Sequence, residues 1–418
     1  MNVDAAQKYT KQSAELSGEK ASKLHAAIAS VDVGSGEVIA IYGGPDFVKN
    51  SRNWATTARP TASTFKTYAL AAGLKDDFSL MSRFNGNTFT PPGDSSPVRN
   101  ELSDQYGPVT LLKATTDSIN TAFVDLTTTM DNGPSKIIKM AEAAGAPKGA
   151  GWDENSRLPL GTAEVSPLDQ AGAYATFAND GTYVPNHVVR EVRDAKNKII
   201  YKANPMERRA TSADIAHDVT YALSNVVEQG TGRAVQTLDR PVAGKTGTKD
   251  RVNKDGSGDI VSAWFVAYTK QISTAVMYVA GDSGNDDLDK FRRPGDFTFF
   301  GGTYPALTWV EYMKVATDGQ PIKQFDAPAY VNRDKAAAQA PTHTSKPTAT
   351  EKPTETSQPT ETTQQPTQTQ TQSPTEKPTK KPKPTPTESA TATTTTTPGG
   401  PRGNGPPNVP TKPPNGKG

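Results

Sequence analysis

The spacing of hydrophobic positions divides the chain into strands, then helices, then strands. Two strand-like runs in LHAAIASVDVGSGEVIAIYGG flank Gly34-Ser35-Gly36 and predict an antiparallel hairpin. A short strand is predicted in AGKTGT, and two longer alternating runs, AWFVAYT and ISTAVMYVA, are joined by Lys270-Gln271 and predict an antiparallel pair. This order predicts an α+β domain with a central antiparallel sheet of about five strands that helices cover.

Between and after these strands, apolar residues recur at helical spacing in several segments. RPTASTFKTYALAAGL, residues 59–74, predicts a helix, and Pro60 lies just before its start. PVTLLKATTDSINTAFVDLTTTM predicts two helical pieces with a polar break at residues 116–120. In EVSPLDQAGAYATFANDGTYV, Ser166 suits the N-cap and Pro167 the first helical position. Further helices are predicted in SADIAHDVTYALSNVVEQGTG and YPALTWVEYMKVA.

The C-terminal part of the chain differs sharply in composition. From Lys335 to Gly418 there is no aromatic residue, and Val409 is the only branched aliphatic residue. A tract of Thr, Pro, Gln, Lys and Glu buries too little apolar surface to offset its ordering entropy. The sequence therefore predicts a linker or polar helix in residues 1–23, a folded domain in residues 24–320, and a disordered tail in residues 321–418.

Charge and cysteine content exclude several classes of function. The net charge of +2 over 418 residues gives no strong electrostatic case for binding nucleic acid. The chain has no cysteine, which excludes disulfides, thiol nucleophiles and Cys-ligated metals. The four histidines are scattered without metal-ligand spacing, so we expect neither a metal nor another cofactor.

The sequence contains no signal that would take the chain to a membrane. No run reaches the ~18 apolar residues that a membrane span requires. The start, MNVDAAQKYTKQSAELSGEK, has no apolar core and does not read as a signal peptide. We therefore expect contact with a membrane only through a segment that is missing upstream.

Ser63 and Lys66 are three residues apart in the predicted helix that follows Pro60, so they lie on one face of it. A serine hydroxyl is a poor nucleophile unless a nearby base accepts its proton. A lysine serves as that base where desolvation or neighbouring cations lower its pKa from about 10.4. The spacing alone is weak evidence, because Ser17 and Lys20 repeat it among polar residues that bury nothing.

A second element lies downstream in AGKTGTKD, which holds the single Lys-Ser/Thr-Gly sequence of the chain. Lys245 supplies a positive charge for a substrate carboxylate, and Thr246 and Thr248 offer hydroxyl donors. Gly247 lets an extended peptide lie against the edge of a strand.

Ser-x-Asn, the third element, occurs at residues 51, 118 and 283. Only Ser118-Ile119-Asn120 lies between the other two elements, and it falls on the predicted break between two helical pieces. There, Ser118 can relay a proton and the Asn120 amide can hold an amide of the substrate.

STFK, SINTAF and GKTGT, in this order, resemble the three motifs of the transpeptidase domain of class A, bifunctional penicillin-binding proteins. The sequence between and around these motifs is also similar to that family, in the segments SVDVGSGEVIAIYGG, LGTAEVSPLDQAGAYATFANDGTYVP and GGTYPA. The resemblance covers about residues 20–315 and implies the fold that penicillin-binding proteins share with serine β-lactamases.

The resemblance also implies a role for each motif residue. Ser63 would attack the penultimate D-alanine carbonyl of a stem peptide, with Lys66 as base and with the backbone N–H groups of Ser63 and Thr248 as the oxyanion hole. Ser118 and Lys245 would help to carry the proton to the leaving amine. The implied substrate-binding residues are Asn120, Thr246, Gly247 and Thr248.

The implied partners are a D-Ala-D-Ala donor, an amine acceptor on a neighbouring stem peptide, and β-lactams that acylate the serine. The implied location is the extracytoplasmic face of the bacterial membrane. Two features depart from the family: Ala62 replaces the glycine that commonly precedes the nucleophile, and the membrane anchor and glycosyltransferase domain are missing.

Three other functions are compatible with parts of this pattern. A serine β-lactamase shares the motifs, but no Glu-x-x-Leu-Asn pattern follows Ser118 to supply its carboxylate. A D,D-carboxypeptidase, which uses water as acceptor, stays open. A non-catalytic cell-wall scaffold, with the tail as its working part, would explain the composition of the tail but not the three intact motifs.

Overall fold

The central sheet has five strands in a computed structural model that describes residues 2–253 and 258–338. Its spatial order is β3-β4-β5-β1-β2, and every neighbouring pair is antiparallel. This arrangement confirms the predicted fold class. The strands are β1 (Leu24–Asp32), β2 (Val38–Tyr42), β3 (Ala243–Val252), β4 (Gly258–Tyr268) and β5 (Ile272–Ala280).

Helices cover both faces of this sheet within the described part of the chain. Every residue of the middle strand β5 is buried, which explains why ISTAVMYVA is an almost continuous apolar run. Ala275, Met277 and Val279 belong to the hydrophobic core on one face, and Val276 and Tyr278 to the core on the other. The two-residue period of the strand therefore divides its side chains between two cores.

The helices divide between the same two cores. The first and last helices, α1 and α8, contribute to one core, whereas α2, α4, α5 and α6 contribute to the other. The helices are α1 (Asn2–Ser17), α2 (Lys66–Lys75), α3 (Leu111–Thr116), α4 (Asn120–Thr129), α5 (Gly133–Ala144), α6 (Pro167–Ala178), α7 (Ala213–Glu228) and α8 (Tyr304–Ala316). None of them is long and apolar enough to cross a membrane.

Short antiparallel strand pairs connect the loops around this core. Each strand of these pairs has only two to four residues, so the pairs order the loops locally and do not form a second large sheet. The pairs are Arg59–Pro60 with Glu164–Val165, Arg83–Asn85 with Pro108–Thr110, Thr182–Tyr183 with Arg208–Arg209, and Glu191–Arg193 with Ile199–Lys202.

The predicted helix does begin after Pro60, although its first turn, which carries Ser63, is not α-helical. Arg59–Pro60 is extended and pairs with Glu164–Val165, and a 3-10 turn precedes α2. The carbonyl of Pro60 accepts hydrogen bonds from Ser262 Oγ and Trp264 Nε1, both at 2.8 Å. These contacts with β4 hold the chain in an extended conformation immediately before the turn that carries Ser63.

The domain also continues beyond residue 320, where the sequence predicted the tail to begin. The Asp218 carboxylate on α7 accepts hydrogen bonds from the backbone N–H groups of Tyr330 and Val331, both at 2.7 Å. Asn332 Nδ2 donates to the carbonyls of Leu74 and Phe78 at 2.9 Å. Phe325 and Val331 also pack against the hydrophobic core, and the Phe325 ring lies 5.8 Å from that of Tyr268. Residues 321–335 therefore run along the domain, held by backbone hydrogen bonds and by these two apolar side chains. Residues 339–418 of the predicted tail lie outside the described residues.

Candidate active site

Ser63 lies in the tight turn that leads into α2. The turn is a 3-10 helix, Ala62–Phe65, and Ala62 before the serine has a φ of 51°. The backbone N–H groups of Thr61 and Ala62 donate to the carbonyls of Ala163 and Gly161 at 3.0 and 3.1 Å. Ser63 itself is half-buried. Hydrogen bonds to residues 161–163 thus fix the turn, and Ser63 remains partly exposed to solvent.

Lys66, the first residue of α2, is fully buried and directed at the second motif. Its Nζ donates to the carbonyl of Ser118 at 2.7 Å, to Ser118 Oγ at 3.2 Å and to Asn120 Oδ1 at 2.6 Å. Burial lowers the pKa of Lys66 well below its usual range. The charge of Lys245 lowers this pKa further, and Glu101 partly opposes the shift. Burial and the charge of Lys245 therefore favour the neutral amine that a general base requires. A neutral amine has only two protons, so in that form the Ser118 hydroxyl would donate to Nζ.

Ser118 and Asn120 lie on the break between α3 and α4, as the sequence predicted for this segment. Ser118 has a φ of 60°, so its backbone is in the left-handed region. Asn120 begins α4, and its Nδ2 donates to the carbonyl of Arg99 at 3.2 Å. Both ends of the Asn120 amide therefore form hydrogen bonds. The oxygen accepts from Lys66, and the nitrogen donates to the carbonyl of Arg99.

The Lys-Thr-Gly sequence lies on β3, the edge strand of the sheet beside the nucleophile turn. Lys245 is fully buried, its Nζ donates to the carbonyl of Thr246 at 3.1 Å, and burial lowers its pKa to about 7. A Cβ added at Gly247 would lie 3.0 Å from the carbonyl oxygen of Thr61 and 3.1 Å from the Cβ of Ala62. A larger residue at position 247 would therefore press on the turn that carries Ser63.

Two positions near these motifs have no counterpart in the sequence prediction. Thr231 Oγ1 lies 2.7 Å from Thr246 Oγ1, and the backbone N–H of Gly301 donates to Thr248 Oγ1 at 3.1 Å. Thr231 is in the loop after α7, for which no local pattern indicates a function. Gly301 is the first glycine of GGTYPA, which the sequence marked only by its resemblance to the family's phrasing.

One group of side chains with metal-ligand spacing is present among residues 2–253 and 258–338. Asp180, His217 and Asp326 each offer a ligand atom within 4.8 Å of the others. Lys270 Nζ lies 2.6 Å from a carboxylate oxygen of both aspartates. The ammonium group of Lys270 thus already provides the positive charge that these two carboxylates favour. Asp180, His217, Lys270 and Asp326 all lie outside the three motifs.

The residues of the three motifs lie close together and form a single candidate site. A half-buried hydroxyl lies one turn before a buried amine, and that amine contacts a second hydroxyl. Two threonine hydroxyls lie on the adjoining strand edge, where a carboxylate of a ligand can be held. This set of groups suits acyl transfer through a serine ester, in which the amine takes up and returns a proton.

Comparison with known proteins supports this assignment. A family model described as the penicillin binding protein transpeptidase domain matches residues 26–291. Penicillin-binding protein 1A of Mycolicibacterium smegmatis is 29% identical over 353 residues, which make up 81% of this chain and 42% of that protein. Penicillin-binding protein 1A of Neisseria lactamica is 31% identical over 317 residues, which make up 73% of this chain and 37% of that protein. The chain thus spans about two fifths of the length of these curated relatives.

Comparison with solved structures also finds penicillin-binding proteins. The PonA1 protein from Mycobacterium tuberculosis in complex with penicillin V matches with a TM-score of 0.68 and 26% identity, over 78% of this chain and 87% of that one. Penicillin-binding protein 1A from Haemophilus influenzae matches with a TM-score of 0.64, over 74% of this chain and 50% of that one; at 20% identity it supports the fold alone. The chain therefore belongs to the penicillin-binding protein transpeptidase family, which confirms the resemblance of its three motifs.

Proposed function

We propose that this chain is a D,D-transpeptidase of peptidoglycan, which cross-links stem peptides through an ester on Ser63. One observation carries the proposal. The buried Lys66 amine, whose pKa burial lowers, lies one helical turn from Ser63 and 3.2 Å from the Ser118 hydroxyl. A nucleophilic hydroxyl with an adjacent base is what acyl transfer through an ester needs, and the second hydroxyl can relay the proton.

In the proposed first step, Ser63 Oγ bonds to the carbonyl carbon of the penultimate D-alanine while its proton passes to Lys66 Nζ. Backbone N–H groups of Ser63 and Thr248 would stabilise the oxyanion. The carbon–nitrogen bond then breaks, and the terminal D-alanine leaves as an amine after it receives the proton through Ser118. Lys66 is neutral again at the end of this step, so the proton balance closes.

In the second step, an amine on a neighbouring stem peptide attacks the ester carbonyl and loses its proton to the base. A new amide forms and Ser63 Oγ leaves as the hydroxyl. Before D-alanine leaves in the first step, the hydroxyls of Thr246 and Thr248 would hold its carboxylate, with the positive charge of Lys245 behind them. A β-lactam carries a similar carboxylate and acyl group, so we propose that it leaves Ser63 acylated.

The proposed substrate sets the proposed location. Peptidoglycan stem peptides are found outside the cytoplasmic membrane, so the domain would act on the extracytoplasmic face of a bacterium. The curated relatives that the chain matches are each named penicillin-binding protein 1A. These relatives extend well beyond the part that this chain matches, and we propose that a segment of that kind carries the domain to its substrate.

A fluorescent penicillin tests the proposal on the whole chain. After incubation and denaturation, we expect one covalent label on the peptide that contains Ser63, and no label in Ser63→Ala. Ser17→Ala is the matched control, because Ser17 and Lys20 have the same spacing, and it should be labelled like the wild type. Absence of label from the wild type would support the non-catalytic scaffold instead.

The acceptor is tested separately with a D-Ala-D-Ala peptide. We expect an added amine, such as glycine or a D-amino acid, to be joined to the peptide as free D-alanine is released. Release of D-alanine with only hydrolysed product, at every concentration of amine, would make the domain a D,D-carboxypeptidase.

A further inference from the structure

Thr231 lies between the second and third motifs, although it belongs to neither. A Cβ added at its neighbour Gly230 would lie 2.0 Å from the carbonyl oxygen of Thr116, two residues before Ser118. A Cβ added at Gly302 would lie 2.5 Å from the carbonyl oxygen of Thr231. The backbone around Thr231 is therefore packed closely on both sides, which limits where its side chain can go.

The hydroxyl of Thr231 faces the threonine that follows Lys245. Thr231 Oγ1 and Thr246 Oγ1 are 2.7 Å apart, the usual length of a strong hydroxyl–hydroxyl hydrogen bond. Thr246 is 8% exposed and Thr231 is exposed, so the pair lies at the surface of the strand edge rather than in the core. Each hydroxyl has a single proton to donate, so one of the two must act as acceptor in this contact.

Thr248, the other threonine of the motif, indicates which direction of the hydrogen bond between Thr231 and Thr246 would favour a bound carboxylate. Thr248 Oγ1 accepts from the backbone N–H of Gly301 at 3.1 Å, and an amide can only donate. The proton of Thr248 is therefore available for a ligand. Thr246 gains the same arrangement if Thr231 donates to it. In the opposite direction, Thr246 would present only lone pairs to an anion.

We propose that Thr231 is a positioning residue for the carboxylate of the substrate and of β-lactams, an inference that rests on the proposed function. Its hydroxyl donates to Thr246 Oγ1, which directs the Thr246 proton to the carboxylate. A hydroxyl that accepts one hydrogen bond is also a stronger donor in the next, and bonds to a charged group are the strong ones. Thr231 thus acts on the ligand through Thr246.

The test compares a ligand that has the carboxylate with one that lacks its charge. The acylation rate constant of Ser63 is measured by mass spectrometry with benzylpenicillin and with its neutral methyl ester. We expect Thr231→Val to lower the rate with benzylpenicillin about tenfold, since a hydrogen bond to a charged group is weakened. The rate with the methyl ester should change less than about twofold, because a neutral ester gains little from a directed donor.

Three further variants complete the test. Thr231→Ser keeps the hydroxyl and should restore the rate with benzylpenicillin. Thr237→Val, at an exposed threonine of the following 3-10 helix, should behave like the wild type with both compounds. In the Thr246→Val background, Thr231→Val should cause no further loss, because the hydroxyl through which it acts is gone.

Equal losses with both compounds, or no loss with benzylpenicillin, would overturn the role of Thr231. Thr231→Ala, measured in the same way, decides the matter if the valine variant does not fold. These results are distinct from a failure of the proposed function, in which the wild type itself would not be acylated at Ser63.

Discussion

Nζ of Lys66 donates a hydrogen bond of 2.6 Å to Oδ1 of Asn120, so the proposed base is bound directly to a residue of the second motif. Asn120 is neutral, and it can hold the lysine without stabilising the ammonium as a carboxylate would. Its Nδ2 is bound to the carbonyl of Arg99 at 3.2 Å, which determines the orientation of the amide. An asparagine at this position thus keeps the amine in place, while burial keeps the pKa of Lys66 low.

Asn120→Asp should move the acidic limb of acylation to higher pH. A carboxylate this close favours the charged form of Lys66 and raises its pKa by roughly one unit or more. The neutral amine then appears only at higher pH, so acylation by penicillin should fall about tenfold or more at neutral pH and recover on the alkaline side. The measurement is the acylation rate between pH 5 and 10. Asn50→Asp adds the same charge at an exposed loop position and should leave the profile unchanged; an unshifted limb in Asn120→Asp would rule out Lys66 as the base.

Lys245→Met should stabilise the fold most below pH 7 and progressively less above it, although it should abolish useful acylation. Burial lowers the pKa of Lys245 from 10.5 to about 7, so the unfolded chain binds this proton more tightly than the folded one. The charged lysine therefore destabilises the fold fully below pH 7, and the penalty declines as pH rises toward 10.5.

Urea unfolding at pH 7, 8 and 9 measures this effect. The difference in free energy of unfolding between Lys245→Met and the wild type should shrink by up to ~1.4 kcal/mol per pH unit. Lys20→Met, at an exposed lysine, should show no such trend. A difference that is constant with pH would mean that Lys245 keeps its ordinary affinity for the proton.

Gly161→Ala should disturb the nucleophile turn without unfolding the domain. Gly161 has a φ of 76°, and a Cβ there would lie 1.9 Å from the carbonyl oxygen of Ala62, next to Ser63. Gly295→Ala is the matched control, because its φ is 89° but no atom lies within 4 Å of the added Cβ. Both variants should lose about 1 kcal/mol of stability from the positive φ, and Gly161→Ala should lose more because its Cβ meets the backbone of Ala62. Only Gly161→Ala should also lose acylation by penicillin, by about tenfold or more, since small displacements of reacting groups have large effects; equal acylation by the two would show that this contact does not position Ser63.

Truncation after residue 320 should destabilise the domain, whereas truncation after residue 338 should not. The first removes the segment that binds Asp218 through the N–H groups of Tyr330 and Val331 and leaves a buried carboxylate with fewer donors. We expect a loss of about 2 kcal/mol, which lowers the melting temperature by roughly 4–8 °C. Asp218→Asn in the chain that ends at 338 should reproduce part of the loss. Equal melting temperatures for the two truncated chains would restore the predicted boundary at residue 320.

Local pattern predicted most of the elements because it acts through short-range rules. The turn at Gly34-Ser35-Gly36 and the cap at Ser166 appear where their backbone preferences place them. The choice of Ser118 over the Ser-x-Asn sequences at 51 and 283 needed only the order of motifs along the chain. The structure puts Ser118 against Lys66, at the predicted break between two helices.

What the sequence by itself determined was the set of elements, the α+β class and the identity of the three motifs, since each depends on residues that are close in the chain. Only the tertiary structure decided that Pro60 is extended, that residues 321–335 return to the domain, and that Thr231 meets Thr246. In each case the deciding partner lies far along the chain, on β4, on α7 or on β3. Hydrogen bonds between such distant groups form only after the chain has folded, and no periodicity or local propensity records them.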